Sequence, residues 1–173
     1  MRKVVLIGYM GCGKSTVSKM LAVKTGITAI ELDEMIEEKC RMSVEEIFLC
    51  KGEIFFRKIE HDLFLELMNS EEDLIISTGG GTPCYYDNHK LLNKKDVISV
   101  YLRASVEILF ERLILEKQKR PLIAHLNNNE IKEFIAKHLF DRNFYYNQAN
   151  FKVTIDKKSL KIIVNEISQL LIQ

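Results

Sequence analysis

Gly8-Tyr9-Met10-Gly11-Cys12-Gly13-Lys14-Ser15-Thr16 follows the spacing G-x-x-x-x-G-K-[ST], which suits the holding of nucleotide phosphates. Glycines let successive backbone N–H groups turn inward around phosphate oxygens. A helix starting at the lysine adds the partial positive charge of its N-terminus. Lys14 supplies a full charge for the β- and γ-phosphates. The Ser15 hydroxyl is a ligand suited to Mg²⁺, a hard cation that keeps several waters and takes phosphate oxygens as well. Gly11, Cys12, Gly13 and Thr16 complete the expected nucleotide-phosphate cradle. A glycine turn that merely joins strand to helix is the plainer alternative, and it leaves the lysine and hydroxyl in register without a purpose.

The other polar signals are weaker one by one. Asp33 follows an apolar run and falls on the sheet edge that carries the phosphate loop, so its carboxylate could meet an acceptor hydroxyl; equally, it is a good N-cap for a helix over 34–39. Arg57 and Glu60 stand three apart in a helical stretch, which by itself indicates a solvated surface pair. Ser77-Thr78-Gly79-Gly80-Gly81 contains more glycine than a plain loop needs, and its backbone could approach an anion. Arg120 and Arg142 add cations of the kind a site for both carboxylate and phosphate would use. Asn93-Lys94-Lys95-Asp96 matches the N-K-x-D guanine-reading pattern, but it precedes a strand and is expected at the sheet edge opposite the phosphate loop. None of the aspartates is followed three residues later by the glycine of a D-x-x-G sensor. A polar turn is the better reading there.

The elements that must position these residues follow from the apolar pattern. Val4-Val5-Leu6-Ile7 is an unbroken run ending at Gly8, as in a strand covered on both faces, and a helix is expected from Lys14 to Gly26. Strand-like runs recur at 28–32, 74–77, 97–102 and 151–155, separated by helical stretches. The fold class is therefore α/β, three layers with a five-stranded parallel sheet. About 40 residues separate the second and third strands, more than one crossover needs, and Ser43 with Glu46 spells a capping box inside that excess. A second excess lies between Glu116 and Asn129, where a proline and three asparagines read as a loop able to move.

Composition limits the remaining classes. The 173 residues, 47% of them hydrophobic, fit one domain. With 25 Lys+Arg against 24 Asp+Glu the formal net charge is +1, so no global field favours nucleic acid or an anionic membrane as partner. No apolar run approaches the roughly 20 residues of a membrane span, and the N-terminal run is too short for a signal peptide. The four cysteines form no CxxC pair and are expected as reduced thiols in the cytoplasm.

Taken in order, the G-Y-M-G-C-G-K-S-T loop, the E-L-D-E-M-I-E segment, the G-E-I-F-F-R-K-I-E helix, the S-T-G-G-G turn, K-R-P-L-I and R-N-F-Y-Y-N-Q-A resemble the shikimate kinases. The resemblance runs from the phosphate loop to the last strand. It implies a P-loop fold like that of the nucleoside monophosphate kinases, in a single domain over 1–173. A shikimate-binding subdomain would lie near 33–60 and a lid near 113–127. It also implies transfer of the γ-phosphoryl group of ATP to the 3-hydroxyl of shikimate by a monomer, with one Mg²⁺ per ATP. Arg57, Arg142 and the Gly80 backbone would hold the shikimate carboxylate, with Gly79 and Gly81 also binding substrate, and Asp33 would grip the ring hydroxyls and be the candidate base. Lys14, Arg120 and Mg²⁺ would stabilise the transferring phosphoryl group. Phe48, Phe56, Pro121 and Leu122 would wall the ring site, unless the two phenylalanines are simply core.

Two positions depart from the family pattern. Glu31 stands where an aspartate that helps to hold the Mg²⁺ waters is usual, and a metal role is expected for it. Arg112, the expected adenine-stacking residue, lies eight rather than seven positions before Arg120; Lys157 or Lys158 would also come near the adenine. Two alternatives remain: another small-metabolite or nucleoside monophosphate kinase, and a nucleotide-binding module without acceptor turnover.

Overall fold

In this computed structural model, which describes residues 2–119 and 121–171, strand β1 (Lys3–Ile7) is buried along its whole length. Its side chains alternate between two apolar clusters. Val4 and Leu6 join one, Val5 and Ile7 the other, because successive strand residues point to opposite faces. Both faces of the sheet are thus covered by helices, which is why the run is apolar without interruption. Helix α1 (Lys14–Thr25) follows and ends at Gly26, as expected, and leads into β2 (Thr28–Glu31). Strands β3 (Leu74–Ser77), β4 (Val97–Arg103) and β5 (Phe151–Thr154) complete a five-stranded sheet of order β2-β3-β1-β4-β5, every neighbouring pair parallel. The chain leaves β1 for one side of the sheet and later returns to its other side. The crevice at the carboxyl end of β1 is therefore the switch point where ligands of such sheets gather.

The first excess is three helices, α2 (Leu32–Cys40), α3 (Val44–Lys51) and α4 (Glu53–Asn69). Ser43 and Glu46 form the expected reciprocal capping box at the start of α3. One boundary differs from expectation. The second strand stops at Glu31 and α2 begins at Leu32, so Asp33 lies in the first helical turn and is not the N-cap. Leu32 and Ile36, four apart and both fully buried in one cluster, explain the shift: Leu32 serves as a helix-face residue rather than as the last residue of the strand.

A short helix α5 (Asn88–Leu91) precedes β4, and α6 (Val106–Leu115) follows it. The Asn93–Asp96 turn lies at the amino end of the strands, where Lys3 N donates to Asp96 O (3.0 Å), at the far side from the phosphate loop as expected. The second excess is more ordered than a plain loop. It contains a 3₁₀ turn (Lys117–Lys119) and α7 (Pro121–Ala124), and Ile123 is fully buried in the core. The asparagine run does not extend the loop: Asn127 accepts from the N–H groups of Asn129 and Glu130 in a capping box that starts α8 (Asn128–Tyr146). Helix α9 (Leu160–Leu170) closes the chain against α1. Arg120 and the side chain of Pro121 lie outside the described residues.

Candidate functional site

The phosphate loop joins β1 to α1 and its shape is made by backbone. Gly8 has φ +146, and a Cβ there would stand 2.8 Å from the Leu102 carbonyl oxygen, so no other residue fits without moving β4. The loop closes on itself through Cys12 N donating to Tyr9 O (3.2 Å). The Lys14 ammonium lies inside this turn, donating to Gly8 O (2.9 Å) and Tyr9 O (3.2 Å). Arg112, from α6, reaches across with Nη1 on the carbonyls of Gly11 (3.1 Å) and Cys12 (3.2 Å). A cleft of about 520 Å³ opens over this loop. Gly11, Gly13, Lys14, Ser15, Thr16 and Arg112 line it on the loop side, with Glu31 bonded to Ser15, and Asp33, Gly79 and Gly80 line it beyond them. Cys12 is buried beneath the loop rather than in the cleft. Lys158 is paired with Glu166 (2.7 Å), and Lys157 lies exposed beyond β5.

The facing side is assembled from four separate segments. Glu60 of α4 is fully buried, and it accepts from Arg57 Nη1 (2.8 Å) and Thr82 Oγ1 (2.6 Å). The Arg57–Glu60 pair is thus not the solvated surface pair that its spacing alone suggests. A buried carboxylate requires partners of this kind, and they fix the arginine in turn. The Arg57 guanidinium also donates from Nε to Glu53 Oε1 (3.3 Å) and lies 4.2, 5.1 and 5.9 Å from the ring centres of Tyr85, Phe56 and Phe48. Phe56 is core and Phe48 half-exposed, the two rings 4.6 Å apart; Leu122 is exposed.

The triple glycine is where these groups converge. A Cβ at Gly79 would stand 2.8 Å from Glu60 Oε1 and 3.1 Å from Asp33 Oδ1; at Gly81 it would meet the Arg57 guanidinium at 2.7 Å. Side chains there would displace the charged groups of the site. Arg142 approaches the same turn from α8, with Nη1 3.5 Å from the Cβ position of Gly80 and its guanidinium 5.4 Å from the Tyr9 ring centre. Tyr146, one helical turn on and fully buried, donates to Gly80 O (2.7 Å). Two guanidinium groups therefore flank one backbone turn, and Asp33 lines the cleft beside Gly79.

Electrostatics set the protonation states. Asp33 is open to the cleft, yet crowding by protein and then the charge of Glu60 push it up to about 6, with Glu31 and Glu37 adding to the rise and Lys14 opposing it. Burial pushes the Cys84 thiol up to about 11 against the opposing charges of Arg142 and Arg57, so at neutral pH it is a neutral neighbour rather than a reactive thiolate.

A hard-cation position adjoins the loop. Glu31 accepts from Ser15 Oγ (2.7 Å) through one carboxylate oxygen and from the buried Ser18 Oγ (2.5 Å) through the other. Among the described residues no cluster of three or more His, Cys, Asp or Glu could cage a metal ion. A hydroxyl and a carboxylate beside a phosphate loop fit Mg²⁺, which takes few protein ligands and completes its shell with phosphate oxygens and water.

A family model described as shikimate kinase matches residues 10–172. The chain belongs to the shikimate kinase family. A shikimate kinase of Flavobacterium johnsoniae is 53% identical over 171 residues, covering 99% of each chain. A crystal structure of shikimate kinase from Bacteroides thetaiotaomicron superposes with a TM-score of 0.91 at 35% identity, again over 99% of both chains. The shikimate kinase of Acinetobacter baumannii, solved in complex with shikimate, gives 0.88 at 29% identity over 99% of this chain and 93% of that one. ATP-dependent kinase chemistry follows from membership in the shikimate kinase family.

Of the residues expected for a shikimate kinase site, Gly11, Gly13, Lys14, Ser15, Thr16, Glu31, Asp33, Gly79, Gly80 and Arg112 line the cleft, and Arg57 and Arg142 stand against its glycine turn, at Gly81 and Gly80. Sequence reasoning missed Ser18, Thr82 and Tyr146, and treated Glu60 only as a pairing partner. Two spacings held the clue: Ser18 lies three after Ser15, and Tyr146 four after Arg142, each on the same helix face.

Proposed function

We propose that the chain transfers the γ-phosphoryl group of ATP to the 3-hydroxyl of shikimate, with one Mg²⁺ per ATP. The observation that carries this reading is the pair of arginines, Arg57 and Arg142, brought to one glycine turn whose Gly79 and Gly80 line the same cleft as Asp33 and Lys14. The donors of Arg57 not used by Glu60 and Glu53, together with those of Arg142, suit the shikimate carboxylate, since a guanidinium is planar, forked and permanently charged. Seating the carboxylate there brings the ring toward Asp33. A carboxylate with a pKa near 6 both orients a hydroxyl and accepts its proton. In a loose phosphoryl transfer, orientation is the larger contribution.

On the other side, the inward N–H groups of the loop hold the phosphates and Lys14 neutralises charge on the moving group, moving from the Gly8 and Tyr9 carbonyls to phosphate oxygen. Ser15, with Glu31 behind it, would hold Mg²⁺, which when bound supplies charge neutralisation across the β- and γ-phosphates. Arg112, which reaches the Gly11 and Cys12 carbonyls, would border the adenine. The helices over 33–60 serve as the acceptor subdomain. Residues 113–127 serve as a lid that excludes water and delivers Arg120. In this reading the chain acts in the cytoplasm as a monomer; its four cysteines are free. ADP release from MgATP, measured with shikimate, gluconate, AMP or no acceptor, tests the reading. Turnover with shikimate alone is expected. Turnover with another acceptor, or with none, overturns it.

A further inference from the structure

Ser18 is a fully buried hydroxyl on α1 that neither the phosphate loop nor the acceptor side uses. Its oxygen lies 2.5 Å from Glu31 Oε1 and 2.9 Å from the Ser15 carbonyl. A hydroxyl has one hydrogen to give, and the shorter, charge-assisted contact to Glu31 takes it. The other carboxylate oxygen of Glu31 accepts from Ser15 Oγ at 2.7 Å. Ser15, Glu31 and Ser18 thus form a closed bridge: two hydroxyls three residues apart on one helix face, spanned by one carboxylate from the end of β2.

We propose that Ser18 is a positioning residue for the metal side of the site, acting through Glu31 on Ser15. A serine that ligates a cation does so through an oxygen lone pair, so its hydrogen must point to an acceptor away from the metal. Glu31 Oε2 is that acceptor. By taking the hydrogen it turns the Ser15 lone pair toward the cleft and makes the oxygen a better donor, as outer partners of metal ligands do. A glutamate has one torsion more than an aspartate and must be held to do this. Ser18 holds it by binding the far oxygen. This assigns the glutamate at position 31 a route to the metal through Ser15, and ties its use there to a serine at position 18.

The inference rests on the reading of Ser15 as a Mg²⁺ ligand, and the test separates the two. ADP affinity is measured by titration calorimetry, without metal and across a Mg²⁺ series, for the parent protein, Ser18→Ala, Glu31→Ala and the double variant. Ser18→Ala is expected to weaken the Mg²⁺ dependence about 10-fold, at the low end for outer-shell partners, with metal-free ADP affinity unchanged. In the Glu31→Ala background the same substitution should change it less than about twofold, since it acts only through Glu31. An unshifted Mg²⁺ series in Ser18→Ala, an equal loss with and without Glu31, or a matching loss of metal-free ADP affinity would overturn the inference while leaving Ser15 as a ligand. A parent protein whose ADP affinity ignores Mg²⁺ would remove the metal reading and this inference with it.

Discussion

The two sides of the cleft are built by opposite means. On the nucleotide side one continuous segment, from Gly8 to Ser15, holds its shape by backbone turns and glycine conformations, and its lysine is anchored by the loop's own carbonyls. On the acceptor side Asp33, Arg57 with Glu60, the Gly79–Gly81 turn and Arg142 arrive from four places in the chain. Arg57 is held by the buried Glu60, Glu60 by Thr82, and the glycine turn by the buried Tyr146. A backbone-built half tolerates side-chain change poorly at its glycines, at Lys14 and at Ser15. A half built from side chains can be taken apart one group at a time. The comparison also separates the energetics: the first half depends on the strand–helix junction, the second on a buried carboxylate that is costly without its partners.

This contrast breaks most sharply at Lys14. Replacing it with alanine is expected to lower kcat about 10³-fold, the upper range for removal of one group that stabilises transition-state charge, while shikimate affinity by titration stays near that of the parent. Asp33→Asn, where the halves meet, should lower kcat about 10²-fold, at the low end for a lost acid–base group. The same variant has a stability signature. The folded-state pKa of Asp33, about 6, lies above its ordinary value of 3.8. Between those values the folded state binds more protons than the unfolded one, so stability falls as pH rises through this window. Asparagine removes that penalty, and Asp33→Asn should melt higher than the parent at pH 7.5 in a thermal scan.

Smaller effects sharpen the acceptor side. Arg57→Ala is expected to raise the KM for shikimate about 30-fold, corresponding to about 2 kcal/mol for a lost charge-assisted bond, with the KM for ATP within about twofold in two-substrate kinetics. The mildest effect is that of pH. On the proposed role of Asp33 as base, kcat/KM for shikimate should be level above about pH 6.5 and fall about tenfold per unit below 6. Asp33→Asn should flatten that limb in a pH–rate profile.

Legibility in the sequence follows the same division. The phosphate loop, the parallel sheet and the misplaced Asn93–Asp96 match could be read directly, because each rests on neighbouring residues or on one apolar period. The start of α2 could not, since the buried Leu32–Ile36 contact, not the polar Asp33, decides where the helix begins. Asn127 gave a loop signal and is a helix cap, a role that depends on Glu130 reaching back. The burial of Glu60 depends on Thr82, 22 residues away, and no local pattern reports a contact of that span. Family resemblance supplied the acceptor residues because their partners are remote in the chain; it did not supply Ser18 or Tyr146, whose roles lie in the hydrogen bonds they make.

The central claim is that the two halves bind independently and meet only at the transferring group. Calorimetric titration of shikimate and of MgADP, each into Lys14→Ala and Arg57→Ala, tests it most directly. The account predicts a crossed pattern: shikimate affinity lost in Arg57→Ala and kept in Lys14→Ala, MgADP affinity kept in Arg57→Ala and weakened in Lys14→Ala. Equal losses of both ligands in either variant would contradict it.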